Sequence, residues 1–382
     1  MNIIHVFPIF SISKGGGTTW LMCELAKQQS KDHKVSILTG SYNLDNNLVK
    51  EIKKFGINIL IYKSYFNRLG IYFMPGLIID KAIFSSKNVF HLHLYRSIQN
   101  LIILIKASLF NSNCIIDAHG SIPKHGIKTF KKNLFDFFFK KLIINKTKMF
   151  IAENELSFNE CISLGINPKK IQIINPPFPV HDFKNVIKLD ILKNEYKIKE
   201  KYIILYFGRF HYIKGIDFLI DSFFELSKRR NDIHLVLMGK NDGFENNLND
   251  QIIKLNLSNI ITNIGFKKGV EKNSVIKESS ICVQVSRYEQ GAGAPFEAVL
   301  IGTPIIVSDH SGSAEDVSRL NAGYLTKFGD TNALAEKLNF VIENYPEAKK
   351  KTYNASKAII KNQSFESTLK KYQILYENSV NN

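Results

Sequence analysis

The stretch Ile281-Cys282-Val283-Gln284-Val285, then Ser286-Arg287-Tyr288-Glu289-Gln290-Gly291-Ala292-Gly293-Ala294-Pro295-Phe296-Glu297, then Ala298-Val299-Leu300-Ile301-Gly302, reads as strand, loop and helix in succession. A short apolar run of this kind suits a buried strand. Proline is tolerated at the first helical position, so Pro295 fixes the helix start, and Gly302 ends it. The free backbone N–H groups of residues 291–296 then point into the loop mouth, where they attract anions and hydroxyl oxygens. Glu289 stands at one lip of that mouth. Glu297 is expected in the first helical turn, where a carboxylate also complements the helix dipole on its own account.

The same alternation extends in both directions along the chain. Apolar runs at residues 3–7, 35–39, 57–62, 89–94, 114–117, 149–152 and 171–174 alternate with helical segments, which predicts parallel βαβ units. Asn175-Pro176-Pro177-Phe178-Pro179 neither continues a strand ladder nor opens a helix cleanly, and marks the exit of a first domain. A second series follows at 202–207, 233–238, 260–264, 281–285 and 304–308. The expected division is a Rossmann-like domain over 1–178, a linker over 179–200, a second Rossmann-like domain over 201–361 and a C-terminal helix over 362–382 that can return to the first domain. The fold class is α/β, with two doubly wound parallel sheets facing each other and the ligand site at the carboxyl ends of the strands, in the cleft between them.

A chain of 382 residues exceeds what one hydrophobic core serves, and 45% hydrophobic residues can fill two. Cys23, Cys114, Cys161 and Cys282 are widely spaced in apolar contexts and read as reduced and structural. No basic leader precedes the first apolar run and no run is long enough to span a bilayer, so a cytoplasmic protein is expected. The net charge of +17 is uneven: residues 1–180 hold 23 Lys and Arg against 10 acids, and 181–382 hold 28 against 24. Such asymmetry points to an anionic partner for the first half, a membrane surface or nucleic acid.

Chemistry is expected in the strand-to-helix loops. Ser13-Lys14-Gly15-Gly16-Gly17-Thr18-Thr19 lets backbone approach a ligand closely. It is neither the dinucleotide fingerprint, since the sixth position from Gly15 is Trp20, nor a P-loop, since no Gly-Lys-Ser/Thr follows. Gly208-Arg209-Phe210-His211-Tyr212-Ile213-Lys214-Gly215 places two cations in one loop, a planar fork and a point charge that together can neutralise a diphosphate. In Asp117-Ala118-His119-Gly120-Ser121 the histidine is expected to project into the cleft. Ser308-Asp309-His310-Ser311-Gly312-Ser313 leads into one further helix. The chain has no Asp-x-Asp and no His/Cys cluster at metal spacing, so no metal is expected and the cations must come from protein.

With the cationic loop from Gly208 to Gly215 and the Glu-x7-Glu element from Glu289 to Glu297 in order, the chain resembles the retaining GT-B glycosyltransferases, the glycosyl transferases group 1, of the bacterial cell-surface polysaccharide type. The resemblance runs over nearly the whole chain and includes Glu24-Leu25-Ala26, the His119 loop and Gly302-Thr303-Pro304-Ile305-Ile306. It implies that Arg209 and Lys214 hold the donor diphosphate, that Glu289 and the amides after it hold the donor sugar, and that Glu297 holds the ribose. It implies catalytic roles for Arg209, Lys214, Glu289 and His119. Donor contacts are implied at Gly16, Gly17, Gly208, Gly291, Ala292, Gly293 and Ala294 as well. The chain departs from the family pattern at Asn175-Pro176-Pro177, where many members have Asn-Gly-Val-Asp, and in the small residues 291–294, which line the hexose pocket.

The reaction this implies is metal-independent transfer of a hexose, with retention, from a nucleotide-diphosphate sugar to a hydroxyl. The expected acceptor is a glycan or lipid-linked glycan in polysaccharide or lipopolysaccharide assembly. The segment 128–142, mixing lysines with aromatics, suits an anionic membrane surface and a peripheral place on the inner face of the cytoplasmic membrane. Its apolar residues spread around the helical projection, however, which equally suits a core helix with snorkelling lysines. The alternatives are a sugar-nucleotide epimerase on the same architecture and, at a distance, a basic nucleic-acid-binding protein, for which no motif is present.

Overall fold

The computed structural model describes residues 1–65, 72–122, 129–183, 185–289 and 293–381. The chain divides into two compact units, one made of Met1–Pro177 with Phe365–Asn382, the other of Phe178–Ser364.

The first unit holds a seven-stranded parallel sheet of β1 (Asn2–Val6), β2 (Lys34–Gly40), β3 (Asn58–Tyr62), β4 (Asn88–His93), β5 (Asn113–Asp117), β6 (Met149–Ala152) and β7 (Ile171–Ile173), in the order β3-β2-β1-β4-β5-β6-β7. Every residue of β4 and β5 is buried, as befits central strands of a parallel sheet covered on both faces. Ile3 pairs in register with Val35 on one side and Val89 on the other.

The helix Phe365–Asn381 belongs to this unit. Its Tyr372, Leu375 and Tyr376 are buried among Ile3, Leu25, Val89, Ile115 and Ile151. Trp20, the one tryptophan of the sequence, meets Phe365 edge to face with ring centroids 6.3 Å apart. A cavity left by Leu375→Ala is expected to cost about 2–5 kcal/mol, read as a lowered urea midpoint in Trp20 fluorescence. An unchanged midpoint would mean that the helix adds nothing to the unit.

The second unit holds a six-stranded parallel sheet of β8 (Tyr202–Phe207), β9 (Ile233–Met238), β10 (Ile261–Gly265), β11 (Ile281–Gln284), β12 (Ile305–Ser308) and β13 (Tyr324–Thr326), in the order β10-β9-β8-β11-β12-β13. The three-residue edge strand β13 has no counterpart in the sequence reading, because its run is too short to show a period. Residues 179–200, expected as a linker, lie in this unit: Ile191, Leu192 and Ile198 are buried against Leu205, Val236 and Cys282. The Glu278 carboxylate accepts the N–H groups of Ile191 and Leu192 at 3.0 and 2.8 Å, which ties the segment down. The chain enters and leaves the unit side by side, with Phe178 bridged to Ser364 and its N–H donating to the Gln363 carbonyl at 2.8 Å.

Candidate functional site

In the second sheet the chain runs outward from β8 through β9 to β10, then restarts beside β8 at β11 and runs the other way. The reversal between β8 and β11 is a topological switch point, where open parallel sheets bind ligands beyond the strand ends. The two loops that leave these strands carry Lys214 and Glu289, and the structure joins them in an ion pair between Lys214 Nζ and a Glu289 oxygen. Both side chains are largely shielded, 15% and 20% exposed.

Local sequence explains how Lys214 is held. A short 3-10 turn, Tyr212–Lys214, follows His211, whose Nδ1 accepts the Ile213 N–H at 3.2 Å. Gly215 then turns the chain into the helix Ile216–Ser227 with φ 65, a left-handed conformation that glycine adopts without steric cost. A Cβ there would also run into the Val285 carbonyl, so the β8 loop packs tightly against the β11 loop.

The β11 loop is fixed by a residue the sequence reading passed over. Arg287 donates to both oxygens of Asp217 at 2.7 and 2.5 Å, and its guanidinium carbon lies 3.9 Å from the centre of the Tyr212 ring. The Arg287 N–H donates to the Ile213 carbonyl at 2.8 Å, and the Glu289 carbonyl accepts the Gly312 N–H at 2.7 Å. Glu289 is thus set from both sides by backbone. The available signal was an arginine in the loop together with an aspartate directly after Gly215-Ile216.

Two other expected donor residues of this unit have ion-pair partners of their own. Arg209 is 60% exposed and paired with Asp242 at 2.5 Å. Glu297 forms its own ion pair with Lys272 at 2.6 Å. The helix begins at Gly293, two residues earlier than Pro295 suggests, so Glu297 falls in the second turn and not the first, and its salt bridge replaces the dipole as the local explanation. Gly208 opens the β8 loop at φ 152, Gly293 is exposed and Ala294 half-buried at the helix start. Gly291 and Ala292 lie outside the described residues.

Gly16, Gly17 and His119 lie in the first unit. A short helical turn from Ile12 leads into the glycine stretch, the backbone breaks at Gly16 (φ 59, ψ −143), a setting close to glycine-only, and the main helix runs on from there to Gln29, next to the start expected near Thr18. The His119 side chain is 5% exposed. It ends a ladder of rings that the sequence spacing conceals, because the members come from β1, β4 and the β5 loop.

The hydrogen bonds of this ladder fix its protons. The Gln29 amide nitrogen donates to the Tyr376 hydroxyl at 3.1 Å, so its oxygen faces His5 Nε2, 2.7 Å away, which must donate. Burial holds the His5 imidazole down at about 4, so it is neutral and its Nδ1 accepts from His93 Nε2 at 3.0 Å. His93, also buried and held well below the ordinary histidine value, in turn accepts at Nδ1 from His119 Nε2 at 2.7 Å. His119 Nδ1 faces a Glu153 oxygen at 2.7 Å and an Asp117 oxygen at 3.4 Å. Both ring nitrogens of His119 therefore donate, which makes it an imidazolium. Burial opposes that charge, but Asp117 and Glu153 outweigh it and raise His119 to about 9. A fourth ring, His91, stacks on His93 with centroids 4.3 Å apart and bonds the Tyr376 hydroxyl at 2.8 Å.

Two sets of these groups, His5, His91 and His93, and Asp117, His119 and Glu153, bring potential ligand atoms within 4.8 Å of one another. Hydrogen bonding among the rings and carboxylates accounts for most of those atoms, and what it leaves over are His91 Nε2 and one Asp117 oxygen.

Residues 189–358 match the model of a family described as Glycosyl transferases group 1. Over 98% of each chain the sequence is 23% identical to an uncharacterized glycosyltransferase of Methanocaldococcus jannaschii. It is 27% identical to mannosylfructose-phosphate synthase of Agrobacterium fabrum, over 46% of this chain and 41% of that one. Among solved structures, the Anabaena protein HepE in complex with UDP superposes with a TM-score of 0.80, at 16% identity, over 99% of this chain and 100% of that one. Sucrose-phosphate synthase of Thermosynechococcus elongatus gives 0.76, at 16% identity, over 99% and 98%. These likenesses establish the fold, a pair of Rossmann-like units of the GT-B kind.

Proposed function

We propose that the chain, whose residues 189–358 match the Glycosyl transferases group 1 model, is a glycosyltransferase of that group and transfers a hexose from a nucleotide-diphosphate sugar to a hydroxyl acceptor, with retention and without a metal. The observation that carries this reading is the meeting of Lys214 and Glu289 at the switch point of the second sheet. A cation and a carboxylate that neutralise each other in the free protein are the pair that a donor would separate, its diphosphate taking the lysine and its sugar hydroxyls the glutamate. The Anabaena neighbours solved with UDP and with UDP-glucose support a nucleotide sugar as the donor.

In the proposed step the bond from the anomeric carbon to the β-phosphate oxygen breaks as the acceptor oxygen bonds to that carbon on the same face. The acceptor proton passes to the departing phosphate oxygen, leaving a glycoside and a nucleoside diphosphate. Lys214 and Arg209 stabilise the charge that grows on the diphosphate, where fixed electrostatics contributes most. Glu297 holds the ribose. A lipid-linked glycan of cell-surface polysaccharide assembly is the proposed acceptor, supported by the basic excess of residues 1–180. No helix among the described residues is long and apolar enough to cross a membrane, so a surface-bound mode is the one proposed.

A thermal-shift screen against UDP-, GDP- and dTDP-sugars tests the reading. At about 100 times its Kd the correct donor should add about 2.7 kcal/mol of stability, without added divalent cation. Proton NMR of the product should show the anomeric configuration of the donor retained. Stabilisation by no nucleotide sugar would overturn the donor assignment, and interconversion of the donor without acceptor would favour an epimerase.

A further inference from the structure

The helix Thr129–Lys146 in the first unit has two apolar faces. One is used: Phe135, Phe139 and Leu142 pack against the sheet core beside fully buried Ile143. Its buried Asp136 accepts two hydrogen bonds from Arg96 at 2.9 and 2.7 Å, which fixes the helix's rotation about its own axis. The other face is turned outward. Phe130, Leu134, Phe137 and Phe138 are 79%, 50%, 82% and 63% exposed. At spacings of four, seven and eight residues these four fall on one stripe of a 3.6-residue helix. Exposed Lys131, Lys140 and Lys141 lie beside or within that stripe. The spread of apolar residues around the helix, which the sequence alone left undecided, thus resolves into one face for the core and one left exposed among the described residues.

We propose that this outward face seats the protein on an anionic lipid surface, with the three phenylalanines and Leu134 entering the boundary between headgroups and acyl chains and the lysines meeting lipid phosphates. Aromatic rings beside lysines suit that boundary, where apolar area and charge attraction act together. A second copy of the chain fits less well, because a two-fold interface through this stripe would set the same lysines against each other. The net charge of +13 over residues 1–180, 23 basic against 10 acidic, adds attraction over a wider area. The proposal deepens the lipid-linked acceptor reading and rests on it for its purpose, though not for its test.

The test is co-sedimentation of the full chain, without donor or acceptor, with vesicles of phosphatidylglycerol and phosphatidylcholine in equal parts and with vesicles of phosphatidylcholine alone. Binding to the anionic vesicles is expected, weakened by salt, and weaker on phosphatidylcholine. Phe137→Ser combined with Phe138→Ser should reduce binding by at least about tenfold, and Lys140→Gln combined with Lys141→Gln should reduce it on anionic vesicles by about tenfold or more. Both variants change exposed side chains, so an unaltered urea midpoint and unaltered nucleotide-sugar stabilisation should accompany the loss. Absence of vesicle binding by the wild type, or undiminished binding by the phenylalanine variant, would overturn the proposal. So would a dimer in sedimentation equilibrium that the phenylalanine variant dissolves. Retained donor stabilisation in any of these cases leaves the transferase reading standing.

Discussion

Lys214→Ala is expected to lower turnover by roughly two to three orders of magnitude while the second unit stays folded. The expected size follows from where the lysine stands. It is shielded, it is placed by a 3-10 turn and the Gly215 reversal, and in the free protein it faces one carboxylate, that of Glu289. A charge so preorganised costs little further ordering when negative charge develops beside it, unlike a lysine on a free surface, which gives up hydration and rotamer freedom to do the same work. Loss of the cation also leaves Glu289 unneutralised, and that carboxylate would repel a diphosphate. Steady-state kinetics on the donor found by screening, with circular dichroism to confirm folding, is the check. Near-normal turnover by the folded variant would remove Lys214 from the reaction.

The second large effect is on stability. Between about pH 6.5 and pH 4 the first unit should weaken as the solution becomes more acid. His5, His91 and His93 are buried and held below the ordinary histidine value, so the unfolded chain takes up protons at about 6.5 that the folded one refuses. Stability from such a group is complete above 6.5 and falls as pH falls towards the folded value. For His5, lowered to about 4, the loss is about 3 kcal/mol. His91 and His93 act in the same direction. Asp117 acts in the opposite one: burial raises it to about 7, so the folded unit gains its proton first. Three bases against one acid leave a net loss. On the alkaline side the stabilisation of His119 is present below 6.5 and lost as pH rises through about 9. Urea unfolding followed by Trp20 fluorescence across this range should show a midpoint that peaks near neutrality. A flat profile would mean that the four rings are not held in the protonation states their hydrogen bonds require.

Much of the fold was legible because parallel strands buried on both faces leave runs such as Ile281-Cys282-Val283 and Phe90-His91-Leu92 that local pattern detects. What local pattern misses is assembly. Tyr324–Thr326 is too short to show a period, and the apolar triplet Ile191, Leu192 and Ile198 is hidden among lysines although it belongs to a core. At the candidate site, the strand-loop-helix units predicted Lys214 and Glu289 near the ends of β8 and β11, but not that they pair with each other. Arg287 was visible only as one more residue of a loop, since its partner Asp217 lies 70 residues away. The histidine ladder was hidden for the same reason. His5, His91, His93 and His119 become neighbours only when β1 and β4 pair and the β5 loop folds over them.

The return of Phe365–Asn381 to the first unit has a consequence for biogenesis. The second unit is continuous in sequence, from Phe178 to Ser364, and can fold as soon as it leaves the ribosome. The first cannot, although its strands are made first. Until Tyr372, Leu375 and Tyr376 arrive, its sheet lacks a buried covering layer, and Gln29 and His91 lack the hydroxyl that both bond. Domains ordinarily fold in the order they are synthesised; here the first unit is completed only after the second has been made, and its uncovered sheet is the part of the nascent chain that a chaperone would have to shelter longest.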